Sequence, residues 1–217
     1  MCVPWCAHTR KASIVNRRLW RSGKSFSSRS LLYSREENIQ QMITEPTNKH
    51  VIKGLGADGP DPNMREKLML FGQFVGDWDI VEARYPQPDG TEIKRKGEIH
   101  FGWILDGRAI QDVWMTHQEK PPRAVPAGTT IRFYDSKTDA WHCIWISPLH
   151  GIIQTFLARK VSDEIVLEGK SKEGFPERWI FSEITGNSFR WRSVESHDNR
   201  NTWQLTEEVR VRRTLAR

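Results

Sequence analysis

Ionisable side chains stand at alternating positions among large apolar residues in the middle of this 217-residue chain, and they are the first candidates for chemistry. In an extended segment Asp112 shares its face with Ile110 and Trp114, because side chains two positions apart point the same way. A carboxyl or imidazole group in an apolar pocket can donate or accept a proton during a reaction. Asp112 and His100 are therefore the candidate acid–base residues, should the protein be an enzyme.

Arg132 and Tyr134 also share one face of an extended segment. An arginine beside a tyrosine can hold the carboxylate of an amphipathic ligand through charge-assisted hydrogen bonds. We predict that this pair forms the polar anchor of a binding site. The alternative is that both side chains point to solvent, since one face of such a strand is commonly wet.

Tryptophan is abundant in the chain, which has ten, and eight of them lie between residues 78 and 203. An indole offers a large rigid apolar wall with a single hydrogen-bond donor, which suits a cavity for a small molecule. The predicted cavity walls are Trp114, Trp141, Trp145 and Trp191. The alternative role for these indoles is to fill an apolar core or to cover the outer surface.

Motifs for metals, phosphates and nucleophiles are absent from the sequence. The histidines form no His-x-His or His-Glu-x-x-His spacing, so no metal site is predicted. There is no Gly-x-Ser-x-Gly, phosphate-binding loop or dinucleotide fingerprint, and we predict no cofactor. Cys2, Cys6 and Cys143 do not make a disulfide framework, and Cys143 is expected to be a small apolar filler.

The positive charge of the chain belongs to its N-terminal segment. The formal net charge is +6, and residues 1–41 hold eight of the 33 Lys and Arg residues but two of the 27 Asp and Glu residues. Residues 42–217 therefore carry 25 basic and 25 acidic side chains, and this balance predicts no nucleic-acid partner. No apolar run approaches the ~20 residues of a membrane span, so no span is predicted.

Residues 1–62 are predicted to be a disordered basic extension and linker, followed by one folded domain over residues 63–217. Residues 1–35 lack acids and are rich in Arg and Ser, which is typical of an organellar transit peptide. The other interpretation is an untranslated leader, with the natural start at Met42. We expect the protein in the cytoplasm, or in an organelle if residues 1–35 are a transit peptide.

The folded domain is predicted to be all-β after one short helix. Residues 64–75, capped by Asn63, have one apolar side and are expected to form that helix. From Trp78 onward, short aromatic and β-branched runs favour an antiparallel up-and-down barrel of about eight to ten strands over a β-sandwich. Residues 118–128 contain three prolines and are expected to form a loop across one mouth. The predicted strands are 78–84, 92–104, 108–116, 129–134, 140–146, 151–159, 164–170, 178–184, 187–194 and 202–212.

Three motifs carry a resemblance to a known superfamily. Gly76-Asp77-Trp78 opens the first strand, Leu105-Asp106-Gly107-Arg108 forms a turn, and Arg210 and Arg212 lie on the last strand. Over residues 64–213 the chain resembles the calycin superfamily of lipocalins and fatty-acid-binding proteins, and is most similar to a bacterial lipocalin-like family of unknown function. The resemblance implies a hollow barrel, with Trp78 plugging one end and the guanidinium of Arg210 or Arg212 packed on the indole.

The resemblance also implies a function. We expect the barrel to bind one small hydrophobic or amphipathic molecule, an anion included, as a monomer or a homodimer. The alternative is a cofactor-independent isomerase, cyclase or lyase that uses the same cavity. A haem-binding or gas-binding barrel is the third hypothesis. It is disfavoured because Asp79-Ile80-Val81-Glu82 replaces the glycine-rich segment that follows the tryptophan in nitric-oxide-binding haem relatives.

Overall fold

The computed structural model describes residues 49–119 and 122–215, so the predicted extension over residues 1–48 lies outside the described part. In the described part, a helix (α1) and a two-residue strand (β1) precede a 3-10 turn, a second helix (α2) and ten longer strands. The bounds are α1 Lys49–Leu55, β1 Gly56–Ala57, the 3-10 turn Pro62–Met64, α2 Arg65–Gly72, β2 Gly76–Pro86, β3 Glu92–Ile104, β4 Ala109–Glu119, β5 Pro122–Asp135, β6 Ala140–Ser147, β7 Ile152–Val161, β8 Glu164–Lys170, β9 Pro176–Ser182, β10 Ser188–Glu195 and β11 Gln204–Arg213.

Strands β2 to β11 close into an antiparallel up-and-down barrel. Each strand pairs with the next one along the chain, and β11 returns to pair with β2, where Val209 lies opposite Ala83. This confirms the predicted all-β barrel and excludes the β-sandwich. Each of the ten strands has a partner on both sides, so the ladder between β2 and β11 has no open edge.

Strand β1 pairs with the end of β3 that extends beyond β2. Gly56 lies opposite Ile104, whereas β2 begins only opposite Phe101. The segment before α2 also packs closely against Gly107. The φ of Gly107 is +73°, and a Cβ added there would lie 2.0 Å from the carbonyl oxygen of Gly59. Residues 49–62 were assigned to the linker by the sequence. In the structure, β1 pairs with β3 at this end of the barrel, and the backbone of Leu55 and Asp61 is hydrogen-bonded to Leu105 and Gly107.

Helix α2 closes one end of the barrel with its apolar side. Leu68 and Phe71, together with Phe74 just beyond the helix, are each at most 1% exposed. The ring centroid of Phe71 lies 4.9 Å from that of Trp141, and the centroid of Phe74 lies 4.8 Å from that of Phe189. The interior at this end is therefore packed with aromatic side chains from both the helix and the strands.

The predicted helix over residues 64–75 is present in a shorter form, and its predicted cap, Asn63, was wrong. The chain enters α2 through the 3-10 turn, where Oδ1 of Asp61 accepts a hydrogen bond from the backbone N of Asn63 at 2.9 Å. Pro62 opens the turn, at a position that needs no N–H partner. No helix within the described ranges is long and apolar enough to cross a membrane.

The predicted loop over residues 118–128 is instead a continuation of the sheet. Strand β4 runs to Glu119 and β5 begins at Pro122, so the prediction of a loop across the mouth is wrong. Pro126 stands opposite Met115, where the pairing register shifts. A proline is tolerated at such a bulge because the ladder is already interrupted there. The hairpin extends one wall of the barrel rather than covering its opening.

The indole of Trp78 seals the barrel at the α2 end. It is fully buried, and its Nε1 donates to the carbonyl oxygen of Phe74 at 2.6 Å. The guanidinium carbon of Arg213 lies 4.1 Å from the ring centroid, a cation–π contact. Arg213 also donates to the carbonyl oxygens of Val75 and Gln73, at 3.0 and 3.1 Å. The plug therefore connects β2, β11 and the segment after α2.

The arginine on the indole is Arg213, not Arg210 or Arg212 as predicted. Val211 is buried in the core, so the strand period directs Arg213 inward and the other two arginines outward. Arg210 instead forms an ion pair on the outer surface. Gly76 is required at this contact, since its φ is +123° and an added Cβ would lie 2.7 Å from Nη1 of Arg213.

Candidate functional site

A cavity of about 460 Å³ occupies the part of the barrel that α2 does not fill. Its floor is formed by Phe101, Phe181 and Phe189, whose ring centroids lie 5.7, 5.1 and 4.8 Å from that of Phe74. At the other end the lining includes Ile93, which is 44% exposed. The cavity is thus closed at the α2 end and opens at the end away from it.

Four tryptophans, Trp114, Trp145, Trp179 and Trp191, wall the cavity. Their rings meet edge to face in series, with centroid distances of 5.6 Å for Trp114 and Trp191, 5.3 Å for Trp191 and Trp179, and 6.1 Å for Trp179 and Trp145. Three of these four were predicted as wall residues. Trp141, the fourth predicted residue, packs in the floor region below the cavity and does not line it.

A buried ion pair lies in the cavity wall between β4 and β5. Oδ2 of Asp112 accepts from Nη2 of Arg132 at 2.5 Å, and the two residues are 4% and 2% exposed. Oδ1 of Asp112 also accepts from the backbone N of Thr130 at 3.1 Å. The guanidinium faces the rings of Phe71 and Phe101 at 5.0 and 5.4 Å. Among the described residues, Nε and Nη1 of Arg132 have no hydrogen-bond partner, so two buried donor atoms are unsatisfied.

Tyr134 and His100, the other predicted polar candidates, lie away from the cavity. Tyr134 is at the α2 end, where its Oη donates to Oδ1 of Asp139 at 2.5 Å, beside Lys67. His100 is on the outer wall, with its Nδ1 2.7 Å from Oδ1 of Asp77. The structure therefore does not bring Tyr134 into one site with Arg132, nor His100 into one site with Asp112.

Cys143 is fully buried opposite Arg132 in the β5–β6 ladder. Burial raises the pKa of its thiol to about 11, and the charge of Arg132 offsets part of this rise. The thiol therefore stays protonated near neutral pH, which makes it a poor nucleophile or metal ligand.

Within residues 49–119 and 122–215, no three His, Cys, Asp or Glu side chains are grouped so that they could hold a metal ion.

A second carboxylate, Glu177, lies in the wall across the cavity and is 7% exposed. Its Oε1 accepts from Nε1 of Trp179 at 2.7 Å and from Oγ of Ser193 at 2.8 Å. Its Oε2 accepts from Nε2 of Gln154 at 2.5 Å. All three donors are neutral, and no ion pair to Glu177 is found in the described part of the chain. Glu177 is thus a buried carboxylate that the protein solvates with hydrogen bonds but does not neutralise.

Glu207 lines the cavity near its opening, where Tyr85 and Arg95 also lie. Burial and the charge of Glu177 raise the pKa of Glu207 to about 7, against the opposing effects of Tyr85 and Arg95. Burial and Glu207 in turn raise the pKa of the Tyr85 hydroxyl. The guanidinium carbon of Arg95 lies 5.5 Å from the Tyr85 ring centroid, and Arg95 itself is exposed. Glu207 therefore titrates near neutral pH.

Trp179, Glu177 and Glu207 were missed by the reasoning from sequence. Glu177 and Trp179 are two residues apart in a strand, so the alternation that identified the other walls could have identified both. Glu207 is followed by Glu208, and the pairing register of β10 and β11 shifts just beside them. From Glu207 to Arg213 the pairing with β10 is uninterrupted, and Val209 and Val211 are buried, so the strand period could have placed Glu207 rather than Glu208 on the inner face.

The contribution of Glu207 to stability is expected to fall as the pH rises from about 4.5 to 7, and the Glu207→Gln variant should lack this component. Because the folded-state pKa is raised, the folded chain keeps a proton that the unfolded chain has already released at its ordinary pKa of 4.5. The difference between the two proteins should reach up to about 3 kcal/mol, at 1.36 kcal/mol for each pKa unit. Urea unfolding across this range measures it, and parallel profiles for the two proteins would contradict the assignment.

No protein-family model matches the chain, and no curated protein matches it. Among solved structures, the chain is similar to the S-type phycobiliprotein lyase CpeS from Guillardia theta, with 11% identity and a TM-score of 0.49, over 69% of this chain and 93% of that one. It is also similar to Rv2717c from M. tuberculosis, with 12% identity and a TM-score of 0.47, over 72% of this chain and 99% of that one. The strand pairing of β2 to β11 is what defines the fold.

Proposed function

We propose that the chain is a calycin-type barrel that binds one small hydrophobic or amphipathic molecule in its cavity. The observation that carries the proposal is a closed barrel containing about 460 Å³ of space, walled by four tryptophans and open at one end. Sites for small molecules are commonly concave and mostly apolar, with volumes of roughly 300–1,000 Å³ and a few polar groups. This cavity has all of these properties.

Binding by burial is the mechanism that this lining supports. Each Å² of apolar ligand surface removed from water contributes about 25 cal/mol, less the cost of ordering the ligand. The indole walls supply rigid contact area that needs little further ordering. The polar groups on two sides, Asp112 with Arg132 and Glu177 with its donors, would then set the orientation of the ligand.

An enzyme that uses the same cavity is the second candidate, because Glu207 titrates close to neutral pH beside Tyr85. A carboxyl group with such a pKa can both give and take a proton, as a cofactor-independent isomerase, cyclase or lyase requires.

The third hypothesis is a haem or gas ligand. Among the described residues, the histidine that lines the cavity is His150, which lies at the opening and is hydrogen-bonded to Ser147 at 2.9 Å. One histidine at the rim does not favour that hypothesis over the other two.

Saturable binding of a neutral fluorescent probe, N-phenyl-1-naphthylamine, tests the proposed function. We expect one probe per chain, with enhanced probe emission and energy transfer from tryptophan. In the Ala127→Phe variant the new ring would occupy the cavity, because Ala127 is a buried lining residue. We expect probe affinity to fall about tenfold or more, which corresponds to 1.4 kcal/mol.

The matched control is Ala124→Phe, which adds the same ring to the same strand at an exposed position outside the cavity. This variant should bind the probe as the natural chain does. Equal binding by all three proteins would place the probe outside the cavity and contradict the proposal. Turnover of a bound compound, detected by mass spectrometry and lost in Glu207→Gln, would favour the enzyme instead.

A further inference from the structure

The cavity contains more acidic than basic groups that face its interior. Its carboxylates are Asp112, Glu177 and Glu207, and its cationic side chains are Arg132 and Arg95. Arg132 is paired with Asp112, and Arg95 is exposed at the opening. The wall formed by β9 and β11 therefore carries carboxylates without a buried cationic partner among the described residues.

We propose that the ligand is an organic amine whose ammonium group lies at Glu177 and Glu207 and whose apolar body carries an acceptor oxygen that reaches Arg132. This inference rests on the proposed function and names the ligand class for the same cavity.

The ammonium group is favoured by two features of the same wall. Glu177 is 7% exposed and is solvated by neutral donors alone, so a bound cation would supply the missing opposite charge. Trp179 and Trp191 lie beside it with ring centroids 5.3 Å apart. The face of an indole attracts a cation, most strongly where water is excluded. A carboxylate beside indole rings is therefore a suitable site for an ammonium group.

The acceptor oxygen is favoured by a separate observation on the opposite wall. Arg132 is 2% exposed, and among the described residues its Nε and Nη1 donate to nothing. Its faces contact Phe71 and Phe101, which stabilise the charge but accept no conventional hydrogen bond. An ether or carbonyl oxygen of a ligand would satisfy these donors.

An anionic ligand, which the sequence allowed, fits this geometry less well. The charge of Arg132 is already neutralised by Asp112 at 2.5 Å, and Tyr134 lies outside the cavity. A carboxylate in the cavity would face the carboxyl groups of Glu177 and Glu207, both of which line it. Like charges in such surroundings repel strongly, because the local dielectric constant is low.

The affinity for an amine should depend on pH. Glu207 is faced by Tyr85 on β2, Arg95 on β3 and Glu177 on β9, and Glu177 in turn adjoins Glu195 on β10. Burial raises the pKa of Glu207 to about 7, so this residue must lose its proton before it can pair with an ammonium group. Amine affinity should therefore fall as the pH drops below 7 and level off about tenfold lower, which is the loss expected for the neutral Glu207→Gln variant.

Calorimetric titration of matched amine, alcohol and carboxylate compounds tests the proposal on the full chain. One set is 5-methoxytryptamine, 5-methoxytryptophol and 5-methoxyindole-3-acetate. A second set has the same three end groups on a 6-methoxynaphthalene ring. At about pH 8 we expect the amine of at least one set to bind about 30-fold more tightly than its alcohol, as a desolvated cation–π contact implies. The carboxylate should bind most weakly.

Two variants test whether the negative charge of the wall, rather than its shape, causes the preference for the amine. Glu177→Gln and Glu207→Gln keep the side-chain volume and should each reduce the preference for the amine about tenfold, while alcohol binding stays unchanged. Glu82→Gln is the control, since Glu82 lies on the outer face of β2 and pairs with Lys94. It should keep the full preference.

The possible outcomes distinguish the two proposals. Equal binding of amine and alcohol, or tighter binding of the carboxylate, would overturn the amine inference and leave the proposed function intact. An amine preference that survives both cavity variants would also overturn it. If no compound of either set binds while N-phenyl-1-naphthylamine does, the amine inference fails and the proposed function stands. If N-phenyl-1-naphthylamine does not bind either, the proposed function fails as well.

Discussion

Replacing Arg132 with methionine is expected to lower the free energy of unfolding by about 3–5 kcal/mol, because it removes one partner of a buried ion pair. Asp112 is 4% exposed, and without Arg132 its charge would keep only the hydrogen bond from the backbone N of Thr130. Methionine retains an apolar chain of similar reach, so packing against Phe71 and Phe101 is largely preserved. Urea unfolding followed by tryptophan fluorescence measures the change.

A double-mutant cycle shows whether the loss comes from the stranded charge. Asp112→Asn removes that charge, so the double variant Arg132→Met, Asp112→Asn should be more stable than the sum of the two single losses predicts. Lys94→Met is the control, because Lys94 pairs with Glu82 on the outer surface and both are well exposed. That variant should unfold like the natural chain. Strict additivity of the two buried changes would contradict the pairing.

Trp78→Ala is the second change with a large expected effect, a loss of about 3–5 kcal/mol. The indole is fully buried, and its ring centroid lies 4.9 Å from that of Phe189. Truncation would leave a hole between β2 and α2, remove the hydrogen bond to Phe74 and leave the guanidinium of Arg213 without its ring. Thermal and urea unfolding both report the loss.

Trp203→Ala is the matched control for Trp78→Ala. Trp203 also packs against an arginine, with the guanidinium carbon of Arg178 4.2 Å from its ring centroid, but it lies half-buried on the outside of the barrel. Its removal should cost about 1 kcal/mol, the scale of an exposed cation–π contact. Similar losses for the two tryptophans would show that Trp78 does not seal the interior.

The fold was predictable because strand period and turn signals act locally. Alternation of apolar and polar residues identified the ten strands, and short connections made antiparallel neighbours the natural pairing. The extension of β4 to Glu119 and of β5 back to Pro122 was not predicted. The prolines of residues 118–128 predicted a loop, whereas Pro126 occupies a bulge that forms only when β4 and β5 pair. Arg213 was missed because successive residues of a strand point to opposite faces, and the predicted last strand ended one residue earlier, at residue 212.

The candidate site was predictable in part for a related reason. Alternation shows which face of a strand a residue occupies but not how far along the barrel axis it lies. Trp145 and Trp141 share one face of β6, yet Trp145 lines the cavity and Trp141 packs beneath it, under α2. That difference depends on where the helix closes the barrel. The charge of the cavity depends on Glu177 and Glu207, which come together only when β9, β10 and β11 pair.

A crystal structure of the protein with N-phenyl-1-naphthylamine tests the central claim most directly. We expect density for one probe inside the barrel, between Trp145 and Trp191 and above the ring of Phe181. Density found only on the outer face of the sheet, for example over the exposed side chains of Phe133 and Ile153, would contradict the claim that this barrel holds its ligand inside.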